Sequence, residues 1–305
     1  MSNARKLADN LPIEGSLSGR NKLINGAMEI FQRGTSFSSA GNAYNADRWF
    51  VDNNGGGGGR STDVPDGFNY SLKIDPSSGG NAVPRQAIEL SAAGEGGVFR
   101  SGQKFTLSFY LKSDNAGEAI NIFVASGTTV NATTTGQVND TSTGLTTATS
   151  WTRYTYTFTS NNVGGSDTCY NIVPYVSTPS GATYWTGFQL EIGSQASPFE
   201  HEPVGVTLSK CQRYYQEIYM FHDAGSSYLR ETIPFKTNMR AAPTGTVFSQ
   251  RPDGLGTNTA GKIYQGGGEH NASIDKITTS SARLFANSYS ANADIYGRVT
   301  LDAEL

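Results

Sequence analysis

Four side chains combine flat aromatic rings with hydrogen-bonding groups and could together bind a sugar. They are Trp185, Gln189, Glu191 and Tyr110. In the segment 184–192, strict alternation would turn Trp185 away from Phe188 and towards the side that carries Gln189 and Glu191. Sugars offer C–H patches to an aromatic ring and hydroxyl groups to neighbouring carboxylates and amides. The same face could instead pack against another domain or subunit, and the sequence leaves both interpretations open.

The acidic side chains have no spacing that marks a catalytic pair. Cutting a glycosidic bond usually requires two carboxyl groups about 5–10 Å apart, one on each side of the bond. Glu200 and Glu202 flank His201 on an extended segment, which is typical of a solvated loop. The histidines lack metal-ligand spacing, and no Gly-x-Ser-x-Gly motif provides a nucleophile. We therefore predict a protein without catalytic activity.

Charge and hydropathy exclude two classes of partner. The net charge is −3 and no run of Lys or Arg occurs, whereas a nucleic-acid-binding surface needs a basic patch to neutralise phosphates. No stretch approaches the roughly 18 consecutive apolar residues of a membrane span. The first residues lack the apolar core of a signal peptide, and Cys169 and Cys211 form no disulfide framework. We therefore expect no membrane insertion, and folding in a reducing cytoplasm.

Segments of alternating apolar and polar residues predict a β-rich chain. The clearest is 104–112, which places Tyr110 on its polar side. Further strands are predicted at 68–75, 85–90, 119–125, 152–159, 170–176 and 184–192. Strands of this length with one apolar face predict a two-sheet sandwich over residues 21–203. The glycine run 55–59 is expected to be flexible, and the Gly/Thr/Ser-rich residues 127–150 are expected to form a loop.

The pattern changes after the sandwich. In 206–219, apolar side chains recur at helical spacing, which predicts a short helix that links two domains. Alternation then returns, and Ile295 and Leu301 share a face in the last strand, while the Pro/Gly-rich stretch 242–268 is predicted to be loop and turn. We therefore predict a linking helix and a smaller C-terminal β domain over residues 204–305.

The N-terminal residues have the pattern of a short helix. Leu7 and Leu11 share a face at i, i+4 spacing, and Pro12 would end the helix. A short, weakly apolar helix folds only when it packs against a partner. Residues 1–20 are therefore either a docking segment for a larger assembly or a frayed terminus.

Four local motifs, taken in order, resemble those of a family of phage and prophage tail proteins. They are residues 21–34, where an Asn-Gly pair precedes a short strand-like segment; Asp47-Arg48-Trp49; residues 187–215, which run from Gln189-Leu190-Glu191 to Cys211-Gln212-Arg213-Tyr214-Tyr215; and residues 234–243 with the chain end 302–305. Residues 2–8 are also similar to the start of virion fibre proteins of marine cyanobacterial phages.

This resemblance implies a jelly-roll sandwich of the carbohydrate-binding-module type over residues 21–203, followed by the small β domain. It also implies a place in the virion, synthesis in the cytoplasm of the host bacterium, no catalysis and a homotrimer. Jelly rolls of this type often carry one structural calcium, for which Glu29 and Glu191 are the matching candidates. We expect no other cofactor.

Most of the motif residues are interpreted as structural. They are Asp47, Arg48, Trp49, Cys211, Arg213 and Tyr214. A tryptophan buries a large area and usually packs in a core, and a guanidinium offers five donors that can hold loop carbonyls. The alternative for Trp49 is an exposed ring that binds sugar.

Three functional hypotheses follow from the motifs. In the first, the chain is a tail fibre or surface appendage that engages the host cell surface, with glycan as the ligand. In the second, it is a purely structural adaptor or capsid decoration, joined to other virion proteins through its N-terminal segment. In the third, it is a glycan depolymerase. An exposed Trp185 beside a groove would favour the first hypothesis, and release of reducing sugars would favour the third.

Overall fold

The computed structural model describes most of the chain. The described residues are 19–37, 43–52, 56–77, 79–90, 99–131, 133–161, 163, 165–223, 228–250, 258–265, 268–287 and 294–305. The predicted docking residues Leu7 and Leu11 lie outside this set. The chain folds as two compact units, the first ending at Val204 and the second beginning at Gly205.

The first unit contains two antiparallel sheets. One sheet has, in spatial order, the described strands β1 (Ser36–Phe37), β4 (Gly57–Ser61), β5 (Ser71–Asp75), β12 (Thr183–Ile192), β7 (Lys104–Ser113) and β10 (Thr152–Thr159). The other has β2 (Ala43–Tyr44), β3 (Phe50–Asp52), β6 (Val83–Glu89), β11 (Cys169–Val176), β8 (Ile120–Gly127) and β9 (Thr133–Asp140).

Apolar side chains of both sheets form one core. Phe105 and Phe109 of β7 are fully buried, whereas Lys104 on the same strand is exposed, because successive side chains of a strand point to opposite faces. The two phenylalanines share their core with Ile122 and Ile172 from the second sheet. The predicted all-β sandwich is therefore confirmed.

Helix α1 (Val204–Gln212) leads into the second unit, whose strands form a single sheet. In spatial order the described strands are β13 (Tyr215–Asp223), β19 (Asp294–Asp302), β16 (Lys262–Gln265), β17 (Gly268–Asp275), β18 (Ser281–Asn287) and β14 (Tyr228–Pro234), and β15 (Thr244–Phe248) also pairs with β19. Ile295 and Leu301 lie together in the core of this unit, as their alternation in the sequence predicts.

Some predicted boundaries are wrong. The helix predicted over 206–219 is shorter, because Tyr215 and Ile218 belong to β13 and pair with β19. Helical spacing over a few turns is a weak local preference, and the complete ladder between β13 and β19 outweighs it. The predicted loop 242–268 contains β15 and β16, and β9 lies within the predicted loop 127–150.

The glycine run forms part of a strand and is not the flexible segment expected from its composition. Gly58 and Gly59 lie in β4, which pairs with β1 and β5. A Cβ atom on Gly58 would collide with the carbonyl oxygen of Lys73, and one on Gly59 with the carbonyl oxygen of Thr35. Glycine is therefore needed here because neighbouring backbones approach closely.

Two further expectations concern the membrane and the cysteines. In the part of the chain that the structure describes, no helix is long and apolar enough to cross a membrane. Cys169 and Cys211 are both buried, and neither takes part in a disulfide, as expected.

Candidate functional site

A β-bulge in β12 changes which of its side chains face the core. The pairing of β12 with β7 shifts register between Thr186 and Gln189. Gly187, within the bulge, has a φ of 65°, in the left-handed region that favours glycine. A Cβ atom at Gly187 would lie 2.7 Å from Cδ2 of Tyr110 and 2.8 Å from Cζ of Phe68. Odd-numbered residues therefore face the core before the bulge, and even-numbered residues do so after it.

The bulge places Trp185 inside the sandwich. Its side chain is fully buried, and the rings of Phe109 and Phe188 lie 5.5 and 5.9 Å from its own ring. Its indole N–H donates to Thr183 Oγ1 at 2.8 Å. The predicted exposure of Trp185 is wrong, because strict alternation does not account for the extra residue of the bulge. Trp185 stabilises the core and presents no ring to a ligand.

Gln189 and Glu191 point to the outer side of the sheet, where they hold the loop that follows β12. The Gln189 amide accepts the backbone N–H of Glu200 at 2.7 Å and donates to the carbonyl of Pro198 at 3.2 Å. The Glu191 carboxylate accepts the backbone N–H of Ser197 at 3.0 Å and also its hydroxyl. Because both side chains are buried beneath this loop, they stabilise the loop and are not accessible to a sugar.

Glu200 attaches the first described residues of the chain to the same loop. Its carboxylate oxygens accept the backbone N–H groups of Gly19, Arg20 and Asn21 at 2.6, 2.9 and 3.1 Å. The Arg20 guanidinium donates to Ser197 Oγ at 2.8 Å. Bonds to a charged acceptor are stronger than neutral ones, so Glu200 anchors this segment.

Ser197 should be the most sensitive position of this loop. Ser197→Ala removes the hydroxyl that donates to Glu191, and leaves a nearly buried carboxylate short of a donor. We expect the free energy of unfolding to fall by about 1–3 kcal/mol, measured by urea denaturation. The exposed Ser194 provides a control in the same loop, and Ser194→Ala should change stability by less than about 0.5 kcal/mol. Equal effects of the two substitutions would show that Glu191 does not depend on this hydroxyl.

Tyr110 belongs to an aromatic cluster on the outer side of the first sheet. Its ring lies 5.4 Å from that of Phe68, and the Arg153 guanidinium lies 6.0 Å from its ring centre. Phe68 also contacts the rings of Phe199 and His201 at 5.0 and 5.1 Å. Tyr110 is half-buried in this cluster, which covers the bulge. The structure therefore does not bring the four predicted sugar-binding residues together as one open site.

A different aromatic and charged surface lies on the outer side of the first sheet, and we call it the Tyr184 face. It consists of Asp63, Lys73, Lys112, Trp151 and Tyr184. Tyr184 pairs with Lys73 on β5 and Lys112 on β7, whose ammonium nitrogens lie 6.0 and 5.6 Å from its ring centre. Because the adjacent residues on all three strands are in the core, Tyr184 and the two lysines point away from it.

Asp63 joins the charged and aromatic parts of the Tyr184 face. Its carboxylate accepts the Lys112 ammonium at 2.5 Å and the indole N–H of Trp151 at 2.9 Å. The hydrogen bond from Lys112 lowers the pKa of Asp63, and the same bond raises the pKa of Lys112, so both groups remain charged at neutral pH. The Asp63 side chain is 40% exposed and that of Lys112 is 26% exposed, so both remain accessible to hydroxyl groups of a ligand.

The reversal at Gly187 explains why sequence reasoning missed this surface. Alternation counted back from Phe188 assigned Tyr184 to the core and Trp185 to the outside, the opposite of their positions. A glycine within an alternating strand often marks a bulge, and this was the available signal. No sequence signal places Lys73 and Lys112 on either side of Tyr184, because strand pairing alone makes them neighbours.

Trp49 lies in the core, so it offers no exposed ring for sugar. Its side chain is fully buried, and its ring lies 4.3 Å from that of Phe188. The indole N–H donates to the carbonyl of Asn25 at 3.0 Å. Trp49 thus joins the loop before β3 to both the core and the segment around Asn25.

Asp47 and Arg48 hold the same loop through buried polar contacts. The Asp47 carboxylate accepts the backbone N–H of Gln32 at 2.9 Å, and burial raises the pKa of Asp47. The Arg48 guanidinium donates to the carbonyl of Ala87 at 2.5 Å. Both side chains are about as buried as the core itself, at 1% exposure, so they contribute to architecture and not to an open site.

Cys211, Arg213 and Tyr214 form the turn at the end of α1. Cys211 is fully buried, and its carbonyl accepts the N–H of Tyr214 at 2.9 Å. The carbonyls of Arg213 and Tyr214 accept the N–H groups of Arg240 and Ala303 at 2.9 and 2.8 Å. These contacts tie the helix to two later segments of the second unit.

The two calcium candidates are engaged in other contacts. Both oxygens of Glu191 accept hydrogen bonds from Ser197, and Glu29 Oε1 accepts the Asn69 amide at 3.1 Å. Among the described residues, no three His, Cys, Asp or Glu side chains are grouped as metal ligands. Glu29 and Glu191 thus belong to no group of three such ligands among the described residues, and the structural calcium predicted for them stays a prediction.

Comparisons with known proteins give no family for the chain. No protein-family model matches it, and no curated protein shows significant sequence similarity to it. Among solved structures, it is similar to the enzymatically active domain of bacteriophage CBA120 tailspike protein 4, with 15% identity and a TM-score of 0.35. That alignment covers 57% of this chain but only 22% of the tailspike chain.

Two other similar structures have different activities. The CBM22-1 xylan-binding domain of Paenibacillus barcinonensis Xyn10C has 15% identity and a TM-score of 0.35, over 53% of this chain and 94% of that domain. A cyclase from Fischerella sp. has 10% identity and a TM-score of 0.39, over 58% of this chain and 98% of its own. The function of this protein must therefore be inferred from its own side chains.

Proposed function

We propose that the first unit is a non-catalytic carbohydrate-binding module and that the Tyr184 face holds its ligand. The observation that supports this most directly is the ring of Tyr184 between two lysines, beside an Asp63 that is bonded to Lys112 and Trp151. Tyrosine and tryptophan rings can stack on the C–H faces of sugars. The Asp63 and lysine groups can bond hydroxyls, and their mutual contacts hold them in place before a ligand arrives.

The contacts of the carboxylates favour binding over catalysis. A glycosidase acid must reach the scissile bond with a raised pKa. Asp47 has a raised pKa, but its side chain is 1% exposed and cannot reach a substrate. The oxygens of Glu191 accept hydrogen bonds from Ser197, and those of Glu200 accept the backbone N–H groups of residues 19–21. These three residues therefore do not provide the pair of accessible carboxylates that a depolymerase requires.

We further propose that the whole chain is a tail fibre or surface appendage of a phage particle. The four motifs and the N-terminal segment that resemble phage proteins are its support. In this proposal the chain forms a homotrimer, residues 1–20 dock on other virion proteins, and the first unit meets a glycan of the host surface. Several copies on one particle would raise weak single-site affinity by avidity.

The binding proposal predicts a loss of affinity when either half-buried ring of the Tyr184 face is removed. Tyr184→Ala and Trp151→Ala should each weaken binding to polysaccharide stripped from cyanobacterial cells by about tenfold or more. A tenfold loss of affinity corresponds to about 1.4 kcal/mol of binding free energy. Binding would be measured by pull-down of the full chain on intact cells and on the stripped polysaccharide. Thr155→Ala, on an exposed residue of β10, serves as the control and should leave binding unchanged.

The outcomes separate the hypotheses. If folded Tyr184→Ala and Trp151→Ala bind as well as the wild type, the Tyr184 face is not the ligand site. If the folded wild-type chain binds neither cells nor polysaccharide, the purely structural hypothesis of an adaptor or capsid decoration replaces the proposal. Release of reducing sugars during incubation would instead establish depolymerase activity.

A further inference from the structure

The second unit exposes large aromatic side chains on its sheet. Tyr219 is 47% exposed and Phe221 is 60% exposed, both on β13. Met220, between them, belongs to the core of the unit. Because side chains alternate along a strand, Tyr219 and Phe221 share the face that points away from this core.

Further aromatic rings lie next to Tyr219 and Phe221 on the neighbouring strands. Phe221 pairs with Tyr296 of β19, and their ring centroids are 5.3 Å apart. Tyr296 in turn pairs with Tyr264 of β16. We call the set Tyr219, Phe221, Tyr264 and Tyr296 the Phe221 stripe. It crosses three adjacent strands and therefore extends over about 10 Å.

Charged groups with defined positions border the Phe221 stripe. Tyr219 pairs with Arg298, whose guanidinium donates to Glu217 at 2.6 Å and to Asn258 at 3.0 Å. The Tyr296 hydroxyl donates to Asp294 at 3.3 Å. The stripe thus combines adjacent rings with a guanidinium and carboxylates, whereas the Tyr184 face combines rings with two ammonium groups and one carboxylate.

The size of the stripe favours a small ligand over a protein partner. Aromatic side chains bury about 150–250 Å² each. Tyr219 and Phe221 are about half exposed and Tyr264 and Tyr296 are more buried, so the four rings together offer at most about 400 Å². A stable protein interface needs about 800 Å² from each partner. Each ring in the stripe is tyrosine or phenylalanine, which suits stacking on the C–H faces of a short run of sugars.

We propose that the Phe221 stripe is a second carbohydrate-binding surface, located in the second unit. Its ligand is a glycan segment of at least two consecutive sugars, with its C–H faces on the rings and its hydroxyls on Arg298, Glu217 and Asp294. This site is independent of the Tyr184 face. One chain then carries two glycan sites, which increases its avidity for a repetitive polysaccharide.

The test uses the full chain on an array of bacterial O-antigen and capsular oligosaccharides. Tyr219→Ala combined with Phe221→Ala should reduce the signal about tenfold or more on spots whose signal Tyr184→Ala leaves unchanged. Val206→Ser, at a residue of the second unit that is 46% exposed, is the matched control and should bind as the wild type does. Circular dichroism and thermal unfolding verify that all variants are folded.

Three results would overturn the proposal. The first is a folded double variant that keeps every wild-type signal, and the second is a wild-type chain that binds no spot. A fall in particle mass of the double variant by light scattering would assign the stripe to contacts between copies. Spots that depend on the Phe221 stripe but none that depend on Tyr184 would support this site while refuting the Tyr184 face.

Discussion

Trp185→Ala should lower the free energy of unfolding of the first unit by about 3–5 kcal/mol, the usual cost of removing a buried tryptophan from a core. The substitution leaves a cavity between Phe109 and Phe188 and removes the hydrogen bond to Thr183. The loss of stability would be measured by urea denaturation, monitored by tryptophan fluorescence. All three tryptophans of the chain, at positions 49, 151 and 185, lie in the first unit, so the signal reports on that unit.

Trp151→Ala provides the contrasting variant. Trp151 lies on the Tyr184 face, so its removal should weaken glycan binding with a much smaller loss of stability than Trp185→Ala. If Trp185→Ala prevents folding, Trp185→Phe keeps a ring in the core and should cost about 1–3 kcal/mol. A Trp185→Ala protein that is as stable as the wild type, but binds less glycan, would show that Trp185 is an exposed ligand residue and that β12 has no bulge at Gly187.

Gly187→Ala should lower the free energy of unfolding by about 2–4 kcal/mol. Two effects add at this position. An alanine at a φ of 65° costs about 1–2 kcal/mol, and its methyl group would lie within 2.8 Å of Tyr110 and Phe68. The measurement is again urea denaturation of the first unit. Glycan binding should also weaken, because the bulge determines that Tyr184 faces outwards.

Gly144→Ala separates these two effects. Gly144 has a φ of 73°, and a Cβ atom there would have no neighbour within 4 Å. It therefore carries the backbone cost alone, about 1–2 kcal/mol. The difference between the two substitutions measures the collision with Tyr110 and Phe68. Equal losses would mean that these side chains move aside freely and that the cluster does not constrain the bulge.

The fold class was predictable because alternation is a local property. In 104–112, apolar residues occur at every second position, and only a strand places all of them on one buried face. The structure has β7 there. The same holds for 152–159, which matches β10, and for the last strand, β19. The weakly alternating segments within 127–150 and 242–268 were missed, because their pairing depends on partners that are distant in sequence.

The candidate site was less predictable, because one residue changes the direction of a strand's side chains. The sequence identified β12 correctly and named residues on it, yet the bulge at Gly187 exchanged the positions of Tyr184 and Trp185. Gln189 and Glu191 kept their predicted side of the sheet, but their partners in the loop at 197–200 could not be inferred from spacing.

Side-chain periodicity alone was enough to specify an all-β chain with a sandwich, a short helix and a second β region, because it shows which segments bury one face. Tertiary structure decided which aromatic rings meet solvent. Tyr184 lies between Lys73 and Lys112 only through pairing with two other strands, and Phe221 meets Tyr296 only through the ladder between β13 and β19. The physical reason is that strand register and bulges are set by contacts between segments far apart in the chain, and a shift of one residue turns every following side chain to the opposite face.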